Sequence, residues 1–237
     1  MNTQTLIITG KPSVARAIAA ALGANVRGEG CIHGNNLIVS WCYGHLIELA
    51  SPAAYDEKLA KWRREDLPIL PETWKTSVMR DKRAQFDVLR GLMQRGDVVE
   101  VVNACDAGRE GELIFRLVYE KAGCNKPVKR LWLSSMDPDE IRRAFRNMRP
   151  GTDYDRLYAA ALCRAKADWL VGMNATRLMS LVYHSTLNVG RVVSPTLSLL
   201  VERKREIEDF KPKTFYTVAV NCGGVASRLP PTDVCGV

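Results

Sequence analysis

The chain has 237 residues, 46% of them hydrophobic, and a formal net charge of +8 from 34 Lys and Arg against 26 Asp and Glu. This is an ordinary globular composition, long enough for one large domain or two modest ones, and its basic balance favours an anionic partner such as nucleic acid. No apolar run approaches the roughly 20 residues needed to span a bilayer, and residues 1–9 lack the basic start and long apolar stretch of a signal peptide; no membrane partner and a cytoplasmic setting are expected.

Residues 5–9 (Thr5-Leu6-Ile7-Ile8-Thr9) read as a first strand. Gly10-Lys11-Pro12-Ser13 then turns into an amphipathic helix with Val14, Ala17, Ile18 and Leu22 on one face and Ser13 as its expected N-cap. Two extended segments, 30–33 and 37–41, flank Gly34-Asn35-Asn36, a composition that favours a hairpin turn. Residues 51–82 are rich in Pro, Trp and charge and read as irregular surface. Helical spacing returns over 85–94, and the β-branched run 98–102 reads as a buried strand.

The run Asn103-Ala104-Cys105-Asp106-Ala107-Gly108-Arg109-Glu110-Gly111-Glu112 follows that strand, and Leu113, Ile114, Leu117 and Val118 then repeat at helical spacing. The acids therefore sit on a strand-to-helix turn, where a magnesium ion and a phosphodiester could meet. A helix N-terminus carrying acids for its dipole has the same pattern, and spacing alone leaves both readings open. Seven cysteines (31, 42, 105, 124, 163, 222 and 235) form no Cys-x-x-Cys pair, so neither a zinc ribbon nor a disulfide framework is indicated. Cys105, beside the acids, is read as strand packing rather than as a nucleophile.

A strand over 128–133 and a helix opened by Asp137-Pro138 come next, with Ile141, Ala144, Phe145 and Met148 along the buried stripe. Its basic face (Arg142, Arg143, Arg146 and Arg149) reads as solvated. Alternating strands and helices imply a mostly parallel sheet flanked by helices, an α/β fold. Pro150-Gly151 is the expected domain boundary, giving an α/β domain over 1–150 and a helical part over 151–237 with helices at 154–183 and 195–208. A strand is expected at 215–220 with no partner strand after it, and the chain is expected to stop where another domain begins.

Lys11-Pro12-Ser13, Trp41-Cys42-Tyr43-Gly44-His45-Leu46, the run from Asp106 to Glu112, the segment from Ala165 to Asn174 and Gly190-Arg191-Val192-Val193-Ser194-Pro195-Thr196-Leu197 occur in a telling order and spacing. Together they resemble the N-terminal half of a type IA DNA topoisomerase, and within that family the bacterial topoisomerase III branch, over residues 5–222. The resemblance implies a TOPRIM domain, an α/β metal-binding fold, over 1–150, and an incomplete α-helical DNA-binding domain over 151–237. Family members break one strand with a tyrosine, pass DNA through the gap and reseal it.

The resemblance further implies magnesium (Mg2+) held by Asp106 and Glu110, hard oxygen donors suited to an ion that keeps several waters. It makes Lys11 the catalytic cation beside the scissile phosphate. Single-stranded DNA is the implied partner, contacted by Trp62, Arg164, Asp168, Trp169, Arg177, Asn188, Val189, Gly190, Arg191, Val192 and Val193. Read without it, Arg164 and Asp168 are a helix-face ion pair worth a few tenths of a kcal/mol, and the tryptophans are equally good core residues.

The chain departs from the family pattern in four ways. Gly10 stands where the family carries a glutamate as general acid/base, and glycine can neither give nor take a proton. Gly108 replaces the middle acid and so weakens the magnesium site, and Val193 replaces a glutamine that contacts DNA. None of the seven tyrosines (43, 55, 119, 154, 158, 183 and 216) sits in the family's nucleophile context. The expectation is a single-strand binder that neither cleaves nor relaxes DNA alone, with another chain as one source of the missing domains. A TOPRIM nuclease or primase-like protein is the alternative enzyme, since the fold hosts several phosphoryl transfers; residues 165–174 and 190–197 argue against it. A noncatalytic single-strand DNA binder is the third reading.

Overall fold

The computed structural model describes residues 3–212 and 217–228, which fall into two compact units, Met1–Gly190 and Arg191–Val237. The first unit contains β1 (Gln4–Thr9), α1 (Pro12–Leu22), β2 (Val26–Gly28), β3 (Cys31–Gly34), β4 (Leu37–Trp41), β5 (Ile47–Leu49), β6 (Thr76–Val78), α2 (Arg83–Gln94), β7 (Val98–Asn103), α3 (Arg109–Lys121), β8 (Val128–Arg130), α4 (Pro138–Arg146), β9 (Arg149–Pro150) and α5 (Asp155–Tyr183). The second contains α6 (Val193–Glu208), β10 (Ala219–Cys222) and β11 (Val225–Arg228).

Seven strands form the central sheet in the order β2-β3-β4-β1-β7-β8-β9. The inner four, β4-β1-β7-β8, are parallel, and both edges are antiparallel. The mostly parallel expectation therefore holds, with the antiparallel pairs at the edges: β2, β3 and β4 are joined by connections too short to cross over and so form hairpins, whereas β9 returns beside β8 after α4. Gly34 pairs with Leu37, so Asn35 and Asn36 alone make the turn, both at left-handed φ (52° and 58°). Asparagine tolerates that conformation, and two such residues match the twist of a hairpin.

β1 is buried on both faces, and its alternation assigns one core to each. Leu6 and Ile8 join Phe86 and Leu89 of α2, Val101 of β7 and Phe115 and Val118 of α3. Ile7 joins Val39, Val102 and Leu131 with Ala15 and Ile18 of α1 and Ile141 of α4. Ala161 of α5 belongs to the first cluster, so the long helix packs within the first unit.

Ser13 does not cap α1. Pro12 takes the first helical position and Lys11 the N-cap, with no side-chain cap bond, because proline's fixed φ starts the helix one residue earlier than the serine. At the other end Asn35 Nδ2 donates to Leu22 O (3.0 Å) and Arg142 Nε to Ala21 O (3.1 Å). Part of the basic face of α4 thus serves to cap a neighbouring helix. Asp137 caps α4 as expected, accepting from the Asp139 and Glu140 amides. The strand expected at 215–220 begins outside the described residues, which resume at 217. Contrary to expectation it has a partner: β10 pairs with β11 through Gly223 and Gly224. No helix among the described residues is long and apolar enough to cross a membrane.

Candidate functional site

The site is built where β1 and β7 end side by side. Thr9 Oγ1 donates to Lys11 O (2.9 Å) and shapes the turn into α1, while Gly44 N donates to Gly10 O (3.1 Å) and ties in the loop carrying His45. Lys82 Nζ donates to Tyr43 O and His45 O (3.0 and 2.9 Å) and fixes that loop from the far side. Lys11 Nζ lies 3.2 Å from Asp106 Oδ2, with both side chains more than half exposed. Glu110 Oε1 pairs with His45 Nε2.

The acidic turn is shaped by α3, whose first turn passes beneath it. A Cβ on Gly111 would lie 2.1 Å from Asp106 O and 2.8 Å from Asp106 N, so only glycine permits this approach. Glu112 is the buried member of the acidic run, 1% exposed. Arg130 Nε stands 3.1 Å away as an ion pair, and Asn103 Nδ2 donates to it at 2.8 Å. Burial pushes the Glu112 carboxyl above the usual carboxylate range in spite of the Arg130 and Arg116 guanidiniums. Cys105 lies buried beside Cys42, and their hydrogen bond, together with burial, raises the Cys105 thiol well above its ordinary value. It remains a protonated packing group, as the sequence suggests.

A cavity of about 230 Å³ opens beside the turn, lined by His45, Arg109, Glu110 and Leu113 on one side and Ala161, Arg164, Ala165 and Asp168 of α5 on the other. Arg164 Nε and Asp168 Oδ2 are 3.6 Å apart. An adjoining, more apolar cavity of about 390 Å³ shares His45, Leu113 and Ala165 and adds Met79, Leu117 and Trp169. The structure thus gathers Glu110, Arg164 and Asp168 around one space, with Trp169 next to it.

Trp169 Nε1 donates to Ala50 O (3.1 Å), and its ring meets Trp74 edge-on at 5.4 Å. Arg177 is buried, donates to Leu59 O (2.9 Å) and sits 5.5 Å from the Trp62 ring centre. With Asn174, which bonds Ile69 N and O, these residues hold the stretch from Ala50 to Trp74 on α5; the 51–82 segment is not irregular throughout, since it contains β6 paired with β5. Asn188, Val189 and Gly190 lie in the loop after α5, where Thr176 Oγ1 accepts from Val189 N (2.9 Å). Arg191 and Val192 open the second unit ahead of Val193, the first residue of α6, and both valines are exposed.

His45, Arg109 and Arg130 are site residues that the sequence reading did not assign. His45 lay inside a quoted motif, and Arg130 carried a signal in its position on a strand otherwise expected to be buried. Among the described residues no three His, Cys, Asp or Glu side chains gather as a ready-made metal cage. Asp106 and Glu110 nevertheless suit magnesium in kind, as exposed hard-oxygen donors to an ion that takes one or two carboxylates and completes its shell with water and substrate phosphate. A Cβ on Gly10 would come no nearer than 4.0 Å to Asp106 Oδ1, and one on Gly108 would meet nothing within 4 Å. Both positions stand open where the family pattern places acids.

A family model described as the Toprim domain matches residues 5–136, and one described as DNA topoisomerase matches residues 152–229. The chain therefore belongs to the Toprim domain family, in the topoisomerase III-like branch of the type IA topoisomerases. A DNA topoisomerase 3 of Bacillus cereus is 44% identical over 216 residues, covering 91% of this chain and 30% of that protein. The DNA topoisomerase 3 of Staphylococcus aureus is 44% identical over 226 residues, covering 95% and 32%. The solved structure of full-length topoisomerase I from Thermotoga maritima matches with a TM-score of 0.62 at 26% identity, over 98% of this chain and 35% of that one. The chain thus spans about a third of the length of the curated relatives it matches.

Proposed function

We propose that this chain binds single-stranded DNA at the cavity between the acidic turn and α5, where Asp106 and Glu110 would be the carboxylates that hold magnesium. The observation that carries the reading is the convergence on one small cavity of Glu110 and Arg109 from α3, His45 from the loop after β4, and Arg164 and Asp168 from α5. When bound, magnesium supplies charge neutralisation at phosphate oxygens. Lys11, a point cation paired with an exposed carboxylate, exchanges Asp106 for a phosphate oxygen and steadies it. Arg164 neutralises a second phosphate while Asp168 keeps its guanidinium extended.

Trp62, Trp169 and Arg177, with residues 188–193, belong to the proposed DNA path by family similarity. In this chain Trp169 and Arg177 also hold the 51–82 segment in place, so their loss would loosen that path as well as remove a contact. We keep residues 1–150 as the TOPRIM domain and 151–237 as the start of the helical DNA-binding domain, in a cytoplasmic setting. Strand breakage and passage belong to the proposal for a full-length protein, with the remaining domains supplied in the same polypeptide or by another chain.

For these residues alone we propose binding without cleavage. Gly10 provides no group to move a proton at the leaving oxygen, and the phenols of Tyr119 and Tyr158 are hydrogen-bonded to Lys126 O and Glu120 Oε2. The open space above Gly10 favours this noncatalytic reading over a nuclease or primase-like one.

Fluorescence anisotropy with a labelled single-stranded oligonucleotide tests the proposal. Affinity should fall with added salt, log K changing by about −0.7 per phosphate contact for each unit of log salt. Binding that ignores salt, or no binding at low ionic strength, contradicts it.

A further inference from the structure

Behind the acidic turn runs a row of paired charges, buried at Arg130 and Glu112 and more open towards Arg116 and Asp155, that DNA binding does not itself use. Glu112 stands between two guanidiniums, its Oε1 3.2 Å from Arg116 Nε and its Oε2 3.1 Å from Arg130 Nε. At one end Arg130 Nη1 donates to the carbonyls of Asn103 (3.0 Å), Cys105 (2.9 Å) and Leu131 (2.8 Å), and Nη2 donates to Asp106 O (2.8 Å). At the other end Arg116 Nη2 donates to Gly151 O and Asp155 Oδ1, each at 2.7 Å. The row therefore begins on the backbone of Asp106 and ends on the first residue of α5.

Stability alone does not explain this arrangement. Glu112 and Arg130 are each 1% exposed, a buried ion pair whose attraction has to repay the desolvation of both charges, and apolar residues of similar volume would serve a core as well. Apolar residues could not aim several donors at the carbonyls of one turn. A guanidinium can, because its nitrogens form a rigid planar fork. α5 is also the helix that carries Arg164 and Asp168, and Arg164 lies about 13 Å along it from Asp155 at 1.5 Å per residue.

We infer that Arg116, Glu112 and Arg130 are positioning residues that lock the Asp106 turn to the start of α5. On the reading proposed above, they thereby set the gap between the carboxylates and the Arg164–Asp168 pair, the width open to a DNA phosphate and its cation.

Arg130→Lys keeps a cation opposite Glu112 but removes the fork, and Arg116→Lys, at a partly exposed position, cuts the contact with Gly151. Amide hydrogen exchange of the ligand-free chain is the first readout and needs no DNA. Exchange should accelerate about tenfold over residues 104–111 in Arg130→Lys, and over residues 151–156 in Arg116→Lys, with β1 and β4 unchanged. Uniform acceleration that includes β1 and β4, or none at the targeted segments, overturns the inference. If Arg130→Lys does not fold, Arg116→Lys decides.

The second readout is the gain in oligonucleotide affinity on adding magnesium. It should shrink about tenfold in either variant, the usual cost of losing a supporting contact behind a metal ligand. It should persist in Ile141→Val, a control weakened on the opposite face of the sheet. An undiminished gain in the lysine variants overturns the positioning role. If the unmodified chain shows no magnesium gain, the DNA reading falls, and the exchange result decides the inference by itself.

Discussion

Gly111→Ala should destabilise the protein by about 2 kcal/mol or more and remove its magnesium-dependent DNA affinity. Two effects oppose each other at this position. Alanine is the better helix former by about 1 kcal/mol, which favours the variant. Its methyl carbon, however, would stand 2.1 Å from Asp106 O, deep inside van der Waals contact. Overpacking costs about 1–3 kcal/mol where neighbours can give way. Here the obstacle is backbone, and Arg130 Nη2 holds that same carbonyl at 2.8 Å. The clash therefore wins, and relief comes only by moving the turn that carries Asp106. Urea unfolding followed by tryptophan fluorescence reads the first effect and oligonucleotide anisotropy the second. A variant that unfolds at or above the parent's midpoint would contradict this packing.

Arg130→Met is the second large effect, with an expected loss of about 3–5 kcal/mol, the usual result of removing one member of a buried ion pair. The methionine fills comparable volume, so a cavity is not the main cause. Glu112, already raised by burial, keeps only Arg116 and Asn103, and the Cys105 and Asp106 carbonyls lose a donor. Adding Glu112→Leu to Arg130→Met should recover part of the loss, because Arg116 keeps Asp155 and Gly151 O while the unpaired carboxylate disappears. Thermal and urea melting of the single and double variants measure the coupling. A double variant less stable than Arg130→Met would show that the carboxylate is not the source of the cost.

The legible parts of the fold were those written in short-range chemistry. The apolar Leu6-Ile7-Ile8 run of β1, the Gly-Asn-Asn turn, Asp137-Pro138 opening α4 and the long helical pattern of α5 each carry their own signal in spacing or turn residues. Ser13 misled because a good capping residue followed a proline that starts helices still better. The hairpin edge of the sheet was written in the Gly-Asn-Asn turn, whereas the antiparallel return of β9 beside β8 after α4 breaks the βαβ rhythm and carries no such local signal.

The site was half legible for the same reason. Asp106 and Glu110 stand out as acids on a strand-to-helix turn, whereas His45 and Arg130 gain their roles from residues 65 and about 20 positions away that only the fold brings near. Trp169 and Arg177 show the converse. Aromatic and basic types suggest nucleic acid, yet in this chain both donate to backbone carbonyls, Trp169 to Ala50 just after β5 and Arg177 to Leu59 in the segment that follows.

The most direct test compares the oligonucleotide affinity of the unmodified chain with that of Asp106→Asn combined with Glu110→Gln, each in magnesium and in chelator. The unmodified chain should bind more tightly with magnesium. The double variant should show no such gain, while its affinity in chelator equals or exceeds the parent's because two negative charges near the phosphates are gone. A double variant that keeps the full magnesium gain, or an unmodified chain that shows none, would contradict the assignment of Asp106 and Glu110 as the place where cation and DNA meet.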